Sequence, residues 1–235
     1  MIRLLIFLVA CLTTAAARAS DCALGLVLAL DISSSVNSYE YDVQKDGLAA
    51  ALRHEDIRAI LLSEPGTIRI AAFEWSGEEQ KDMIASWTQI ITNRDIDALA
   101  TRIEAHERRF TRFSTALGEA LRFGESLFND LPAPCRRQVI DVSGDGVSNE
   151  GMTPAEYRTM GGLRRVTVNG LVMKGESPDP EAYYRDEGVI GGPGAFMMVA
   201  RNGFQDYPDL ILGKLLRELR PPVFVGAAPS GHHTR

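Results

Sequence analysis

The stretch ALGLVLAL at residues 23–30 is followed directly by the polar segment DISSS at residues 31–35. A run that is nearly all apolar is typical of a strand buried on both faces, as in a parallel sheet covered by helices. In open parallel sheets, ligands gather at the carboxyl ends of the strands. The residues directly after this run are therefore the first place to look for function.

Strand-like and helix-like segments alternate along the rest of the chain. The predicted strands after the first are 67–73, 81–89, 138–142, 166–173 and 196–200, and the predicted helices are 36–53, 93–106, 115–127, 180–185 and 207–219. Such alternation favours a largely parallel sheet with helices on both faces. The sequence thus predicts an α/β fold, doubly wound and mostly parallel, in which residues 81–89 form one antiparallel edge strand beside the strand that precedes them.

The first 19 residues have the pattern of a secretory signal peptide. Arg3 precedes an apolar run at 4–12, and small residues continue to Ala19. We expect cleavage near Ala19, which gives a periplasmic or secreted protein. The segment LVAC at 8–11 also resembles a lipoprotein box, and in that alternative Cys11 would carry a lipid anchor. The apolar run is shorter than the roughly 20 residues that a transmembrane helix needs, so no transmembrane segment is predicted.

Composition sets the domain count and argues against one class of partner. A chain of 235 residues with 45% hydrophobic residues can bury one substantial core, which we assign to residues 20–220. Residues 221–235 show no sustained periodicity and are predicted to be a flexible C-terminal tail. The net charge of −6 provides no basic surface for phosphate, so nucleic acid is not an expected partner.

The cysteines agree with export. Loss of the signal peptide removes Cys11 and leaves Cys22 and Cys135. An even pair in an oxidising compartment suggests a disulfide bridge.

Polar side chains occur at three places where predicted strands end or helices begin. Alternate residues of an extended turn point the same way, so Asp31, Ser33 and Ser35 can aim one carboxylate and two hydroxyls at a common point. Thr115 opens a predicted helix, and Asp145 follows the strand at 138–142 between two glycines. Oxygen ligands of this kind suit a hard divalent cation. We expect Mg²⁺, with Mn²⁺ or Ca²⁺ as alternatives.

This pattern resembles the metal-ion-dependent adhesion site of von Willebrand factor A (vWA) domains. The resemblance covers roughly residues 21–220, and it implies that Ser33, Ser35 and Thr115 bind the ion directly and Asp31 mostly through water. Asp145 would bind directly or through water according to state. The segment VIDVSGDG at 139–146, together with the signal peptide, looks like a bacterial exported branch of the superfamily, domain-of-unknown-function family 1194.

The resemblance also makes the disulfide prediction specific. The vWA sheet places the first strand beside the strand that ends at Asp145. Cys22 lies nine positions before Asp31, and Cys135 lies ten before Asp145. Adjacent parallel strands would bring both sulfurs to the end opposite the metal, which implies a disulfide between Cys22 and Cys135.

Other polar groups receive less specific interpretations. The acidic stretch 74–82, which lies near Trp75 and Trp87, could edge a binding face, but a solvated hairpin with packed aromatic residues is favoured. Asp141 is expected to point into a helix-covered face or to pair with Arg136 or Arg137. The histidines lack zinc-ligand spacing, so solvated or helix-surface positions are predicted for His54, His106, His232 and His233.

The resulting functional hypothesis is an exported module that binds a protein or peptide through the cation, with an acidic residue of the partner completing the metal shell. One alternative is a structural or scaffold subunit in which the metal ties loops together. Another is a metal-dependent hydrolase or phosphatase that uses Asp31. Catalysis is disfavoured because Ser33 stands where a second aspartate is expected, and Ser143 lacks the Gly-x-Ser-x-Gly context. No enzymatic activity is therefore predicted.

Overall fold

The computed structural model describes residues 22–63, 66–175 and 178–220. The predicted signal peptide (1–19), the alternative lipid site at Cys11 and the predicted tail (221–235) lie outside the described residues. Within those residues, none of the helices combines the length and the apolar character needed to cross a membrane.

Six strands form one sheet in the order β3-β2-β1-β4-β5-β6. β2 and β3 pair antiparallel, and the other neighbours pair parallel. The fold class predicted from the sequence is therefore confirmed, with β3 as the antiparallel edge strand. The strands are β1 (Cys22–Asp31), β2 (Thr67–Trp75), β3 (Lys81–Ile90), β4 (Arg137–Gly144), β5 (Thr167–Met173) and β6 (Met197–Ala200). The α-helices are α1 (Ser38–Arg53), α2 (Glu55–Ser63), α3 (Asn93–Glu104), α4 (Leu117–Leu127), α5 (Pro154–Thr159), α6 (Pro180–Asp186) and α7 (Tyr207–Leu219).

The first strand is buried on both faces because alternate side chains serve two separate cores. Leu26 and Leu28 pack in the core that includes side chains of α1, α3 and α7. Val27 and Ala29 pack in the opposite core, which includes α4 and α6. Each large side chain buried this way contributes about 1.5–3 kcal/mol. The two cores hold β1 rigidly, and with it the loop that follows.

Several helix boundaries differ from the prediction. α1 begins at Ser38 rather than at 36, because Asn37 and Glu40 form a capping box in which each side chain accepts from the other's backbone N–H. The helix predicted at 115–127 begins at Leu117, and the helix predicted at 93–106 ends at Glu104. Thr115 and His106 therefore lie in loops. The short helices α2 and α5 were not predicted.

A disulfide joins Cys22 and Cys135, as predicted, with sulfurs 2.01 Å apart. Cys22 opens β1, and Cys135 lies just before β4. The backbone N–H of Arg136 also donates to the Cys22 carbonyl at 2.8 Å. The bridge thus fastens the amino ends of the two central strands, opposite the edge at which Asp31 lies.

A buried charged cluster lies beneath α7. Asp141 on β4 faces this helix, as one of the two sequence interpretations expected, and its partner there is Lys214. The Lys214 ammonium also contacts Glu218 Oε1 at 2.7 Å. Burial, and then the charge of Asp141, raises the pKa of Glu218 to about 8. When Glu218 is protonated, the single positive charge of Lys214 is balanced by the single negative charge of Asp141.

Candidate metal centre

The candidate centre lies at the carboxyl edge of the two central strands. Asp31 is the last residue of β1, and Asp145 follows the last residue of β4. Leu30 and Ser143 are partners in the parallel register, so both strands end at the same level. This arrangement brings two carboxylates from distant parts of the sequence to one edge of the sheet.

Four of the five predicted ligand residues form a continuous chain of contacts. The backbone N–H of Ser33 donates to Asp31 Oδ1 at 2.7 Å. The hydroxyls of Ser33 and Ser35 lie 3.1 Å apart, and the Ser35 hydroxyl donates to Asp145 Oδ1 at 2.7 Å. The loop after β1 is thereby closed onto the turn after β4, and the oxygens of these residues face a shared region.

Thr115 reaches the same region from the loop before α4. Its backbone N–H donates to Asn149 Oδ1, and its carbonyl accepts from the Asn149 backbone N–H, both at 2.8 Å. The Thr115 hydroxyl oxygen would lie 3.5 Å from a Cβ added to Gly146. The loop that follows Asp145 therefore positions Thr115 beside the carboxylate turn.

Within the described residues, the surroundings of Asp31 and Asp145 disfavour the negatively charged form of both side chains. Asp31 is fully buried, and its Oδ2 atom has no hydrogen-bond partner there. Burial, followed by the charge of Asp145, raises the pKa of Asp31 to about 7, and burial also raises the pKa of Asp145. A buried acceptor without a donor is costly. A divalent cation would supply the missing positive charge, and the mixture of carboxylate and hydroxyl oxygens fits a hard cation such as Mg²⁺.

Gly144 and Tyr184 form the wall beside Asp31. A Cβ at Gly144 would lie 2.7 Å from Asp31 Oδ2 and 2.4 Å from the Tyr184 hydroxyl. Tyr184 is fully buried, and its hydroxyl has no hydrogen-bond partner within the described residues. Burial and the nearby aspartates raise the pKa of Tyr184 well above its usual value, so it remains neutral. Only a residue without a side chain fits between these two groups.

Gln44 was missed in the sequence analysis. It lies on α1 and is fully buried. Its Nε2 donates to the Asp31 carbonyl at 2.9 Å, and its Oε1 accepts from the Ser143 hydroxyl at 2.6 Å. Gln44 thereby links the ends of β1 and β4. Its position between Tyr41 and Leu48 on the buried stripe of a helix was the available signal, because a polar residue there needs a partner.

Arg108 was also missed, and it holds the loop of residues 32–36 that follows β1, here called the serine loop. Its guanidinium donates to the carbonyls of Ile32, Ser33 and Val36 at 2.5, 3.1 and 2.7 Å. Its Nε donates to the Phe110 carbonyl at 2.9 Å. Nothing in the local sequence indicates these contacts, since Arg108 is far from this loop in the chain.

His106 is not at the solvated or helix-surface position that the sequence analysis predicted. It follows α3 and packs against Glu74 and Asp82, with its side chain 16% exposed. The acidic stretch does form a β2–β3 hairpin, as predicted, and Trp75 packs in the core. Glu74 is nevertheless fully buried rather than solvated. The three polar residues form a second cluster at this edge of the sheet.

Comparison with known families agrees with the fold. The family model described as "Protein of unknown function (DUF1194)" matches residues 21–223. The chain belongs to this family. The resemblance to family 1194 that was noted from residues 139–146 is therefore confirmed. A search of curated proteins found no match to this DUF1194 sequence.

Several solved structures share the fold of this DUF1194 protein, among them a von Willebrand factor type A protein. Proximal thread matrix protein 1 from the mussel byssus superposes with a TM-score of 0.62 and 16% identity, covering 85% of this chain and 48% of that one. A von Willebrand factor type A protein from Catenulispora acidiphila gives 0.60 and 12%, covering 85% and 43%. The pilus adhesin SpaC from Lactobacillus rhamnosus GG gives 0.57 and 12%, covering 85% and 31%. The chain spans less than half the length of each of these proteins, and the likeness shows a shared vWA-like fold.

Proposed function

We propose that this DUF1194 protein is an exported recognition module that binds a protein or peptide through a divalent cation, Mg²⁺ in the first instance. The observation that carries the proposal is the contact chain from Asp31 through Ser33 and Ser35 to Asp145, together with the buried Oδ2 atom of Asp31, which has no donor within the described residues. The similar byssus protein has also been solved with a zinc-occupied MIDAS motif, at a TM-score of 0.59 and 13% identity.

Five residues would hold the ion. By the vWA resemblance, the hydroxyls of Ser33, Ser35 and Thr115 coordinate directly, and Asp31 acts mostly through water. Asp145 completes the protein ligands, directly or through water. Two carboxylates balance a divalent charge without exceeding it, so the ion remains able to attract a further anionic ligand. An acidic side chain of the partner would take that position, and binding rather than catalysis is the proposed outcome.

Export is supported by two features of the chain. The first 19 residues fit a signal peptide. The disulfide between Cys22 and Cys135 is of a kind that persists in oxidising compartments. We therefore place the mature protein in the periplasm or outside the cell.

Calorimetric titration of the metal-stripped mature protein with Mg²⁺, Mn²⁺ and Ca²⁺ tests the cation site. We expect saturable Mg²⁺ binding that weakens at least tenfold in the D145N variant, which keeps the side-chain size and removes the charge. D46N is the matched control, because Asp46 is exposed on α1. No saturable binding to the intact protein, or equal loss in both variants, would contradict the assignment.

A second experiment tests recognition. Random peptides are displayed and selected on the immobilised protein, once in Mg²⁺ and once in a chelator. We expect an aspartate or glutamate to be enriched at one position in Mg²⁺, and the enrichment to vanish with the chelator or with D145N. Acidic peptides enriched equally in both conditions would refute cation-mediated recognition.

The structural role remains the second candidate, because the Ser35–Asp145 hydrogen bond joins loops that are 110 positions apart. In that role, metal removal or D145N would expose the serine loop to proteases. If Mg²⁺ binds and protease sensitivity rises sharply on its removal while no acidic peptide is selected, the structural role is favoured.

A further inference from the structure

A second cluster of metal-ligating side chains lies one strand away from the candidate Mg²⁺ centre. Glu74 is near the end of β2, and Asp82 is near the start of β3. The two residues are direct partners in the antiparallel register, so their side chains lie on the same side of the sheet. His106 approaches both from the loop after α3. One ligand atom from each residue can be chosen so that all three lie within 4.8 Å of one another.

The two distances from His106 to the carboxylates are longer than hydrogen bonds and close to the spacing of metal ligands. His106 Nε2 lies 3.5 Å from Glu74 Oε2 and 3.6 Å from Asp82 Oδ2. Hydrogen bonds of this type are about 2.7–3.2 Å long. In a tetrahedral site with bonds of about 2.0–2.1 Å, neighbouring ligand atoms are about 3.3–3.4 Å apart. His106 Nε2 is also buried without a hydrogen-bond partner in the described residues, and it faces both carboxylates.

Each carboxylate is oriented by a contact outside the cluster. Glu74 Oε1 accepts from the backbone N–H of Arg109 at 2.9 Å, and Asp82 Oδ1 accepts from the Arg109 side chain at 3.1 Å. The second oxygens, Glu74 Oε2 and Asp82 Oδ2, are those nearest His106, and Glu74 Oε2 also accepts a hydrogen bond from the Tyr41 hydroxyl. The Tyr41 hydroxyl lies 3.1 Å from Glu74 Oε2 and 3.3 Å from the His106 carbonyl. Such outer contacts are the usual means by which proteins fix metal ligands before the ion binds.

We propose that Glu74, Asp82 and His106 form a second cation site, which selects a transition metal such as Zn²⁺ over Mg²⁺. An imidazole nitrogen suits Zn²⁺, whereas Mg²⁺ prefers oxygen ligands throughout. Three protein ligands leave a fourth position for water, and Asp82 is 24% exposed, so the site is reachable from solvent. The site stands apart from the proposed recognition function, because none of its three ligands belongs to the Mg²⁺ centre.

The competing arrangement is a protonated His106 that pairs with the two carboxylates. Zn²⁺ binding requires the neutral ring, so the two arrangements exclude each other at Nε2. His232 and His233 lie outside the described residues and could bind zinc by themselves. The test therefore needs a signal that belongs to His106.

The experiment uses the full mature protein with labelled histidine and follows the ring nitrogens by NMR during Zn²⁺ titration. The His106 resonance, assigned by its absence in H106Q, is expected to move to a metal-bound position at stoichiometric Zn²⁺. Co²⁺ should give the intense visible absorption of a four-coordinate site. Both signals should be lost in H106Q or D82N and kept in D145N and in the matched control H54Q, whose histidine pairs with Asp56 at 3.7 Å on the surface.

A His106 ring signal that does not move at saturating Zn²⁺ would overturn the proposal. Intense cobalt absorption that persists in D82N would also overturn it, because that variant lacks one of the three proposed ligands. D82N keeps the test available if H106Q fails to fold. D145N separates the two sites: it removes the proposed Mg²⁺ centre and leaves the His106 signals in place. Failure at one site is thus distinguishable from failure at the other.

Discussion

Reduction of the Cys22–Cys135 disulfide should destabilise the protein strongly and leave the candidate Mg²⁺ centre intact. The two cysteines are 113 positions apart. The chain-entropy relation, a loss of about 2.1 + 1.5R ln n cal/mol/K with n the loop length, gives about 5 kcal/mol at 25 °C for a loop of this size. Measured losses of native bridges run from about 2 to 5 kcal/mol. We therefore expect the free energy of unfolding to fall by about 3–5 kcal/mol.

Urea denaturation of the oxidised protein, the reduced protein and the C22A/C135A variant measures this loss. The reduced protein retains both buried sulfurs, so its difference from the oxidised form isolates the constraint on the unfolded chain. The alanine variant adds the loss of packing around Cys135, whose sulfur lies close to Gly25. Mg²⁺ affinity should be unchanged in the forms that fold. A fall of less than about 1 kcal/mol on reduction would refute the entropy argument, and a fall in Mg²⁺ affinity would refute the separation of the two ends.

Three further outcomes are expected. The pKa of Glu218 is raised from 4.5 to about 8 in the folded state. Its contribution to folding stability is therefore fully present below the unfolded-state pKa of about 4.5, and it is lost as pH rises towards 8. Urea denaturation at several pH values should show stability falling between pH 5 and 8, and E218Q should flatten this fall; an unchanged slope would exclude the assignment. G144A places a methyl 2.7 Å from Asp31 Oδ2 and should weaken Mg²⁺ at least tenfold in calorimetry. G146A, whose Cβ meets nothing nearer than 3.5 Å, should not, and equal effects would argue against this steric reading. Q44L leaves the Asp31 carbonyl and the Ser143 hydroxyl without the contacts that Gln44 provides, so unfolding experiments should show a loss of about 1–3 kcal/mol; no loss would mean that water replaces the glutamine.

The fold could be predicted because the strands have recognisable local sequence patterns. Residues 23–30 are almost entirely apolar, as expected for a strand that helices cover on both faces. The polar residues that end β1 and follow β4 could be placed at one edge, because parallel strands end at the same edge of a sheet. The disulfide was predicted from the vWA resemblance and from similar offsets, nine and ten positions, along two neighbouring strands, and the register that pairs Leu24 with Arg137 agrees with it.

The rest depends on long-range contacts that no local pattern carries. α4 begins two residues later than predicted because Asn149 holds Thr115 in a loop conformation. His106 was placed on a surface because its partners lie 32 and 24 positions earlier, on two strands of a hairpin. Residue spacing along the chain gives no signal for this cluster, because its three residues lie on two strands and a loop and form no known motif.

The hydrogen bonds from Arg108 order the serine loop before any cation binds. Four carbonyl oxygens occupy this one guanidinium, three of them in the segment from Ile32 to Val36. The entropy of ordering that segment is therefore lost during folding, so a cation bound at the proposed site would have little backbone left to order. At the proposed site, the fixed spacing of the oxygens would then favour a small cation, because a loop held in this way resists widening around a larger ion.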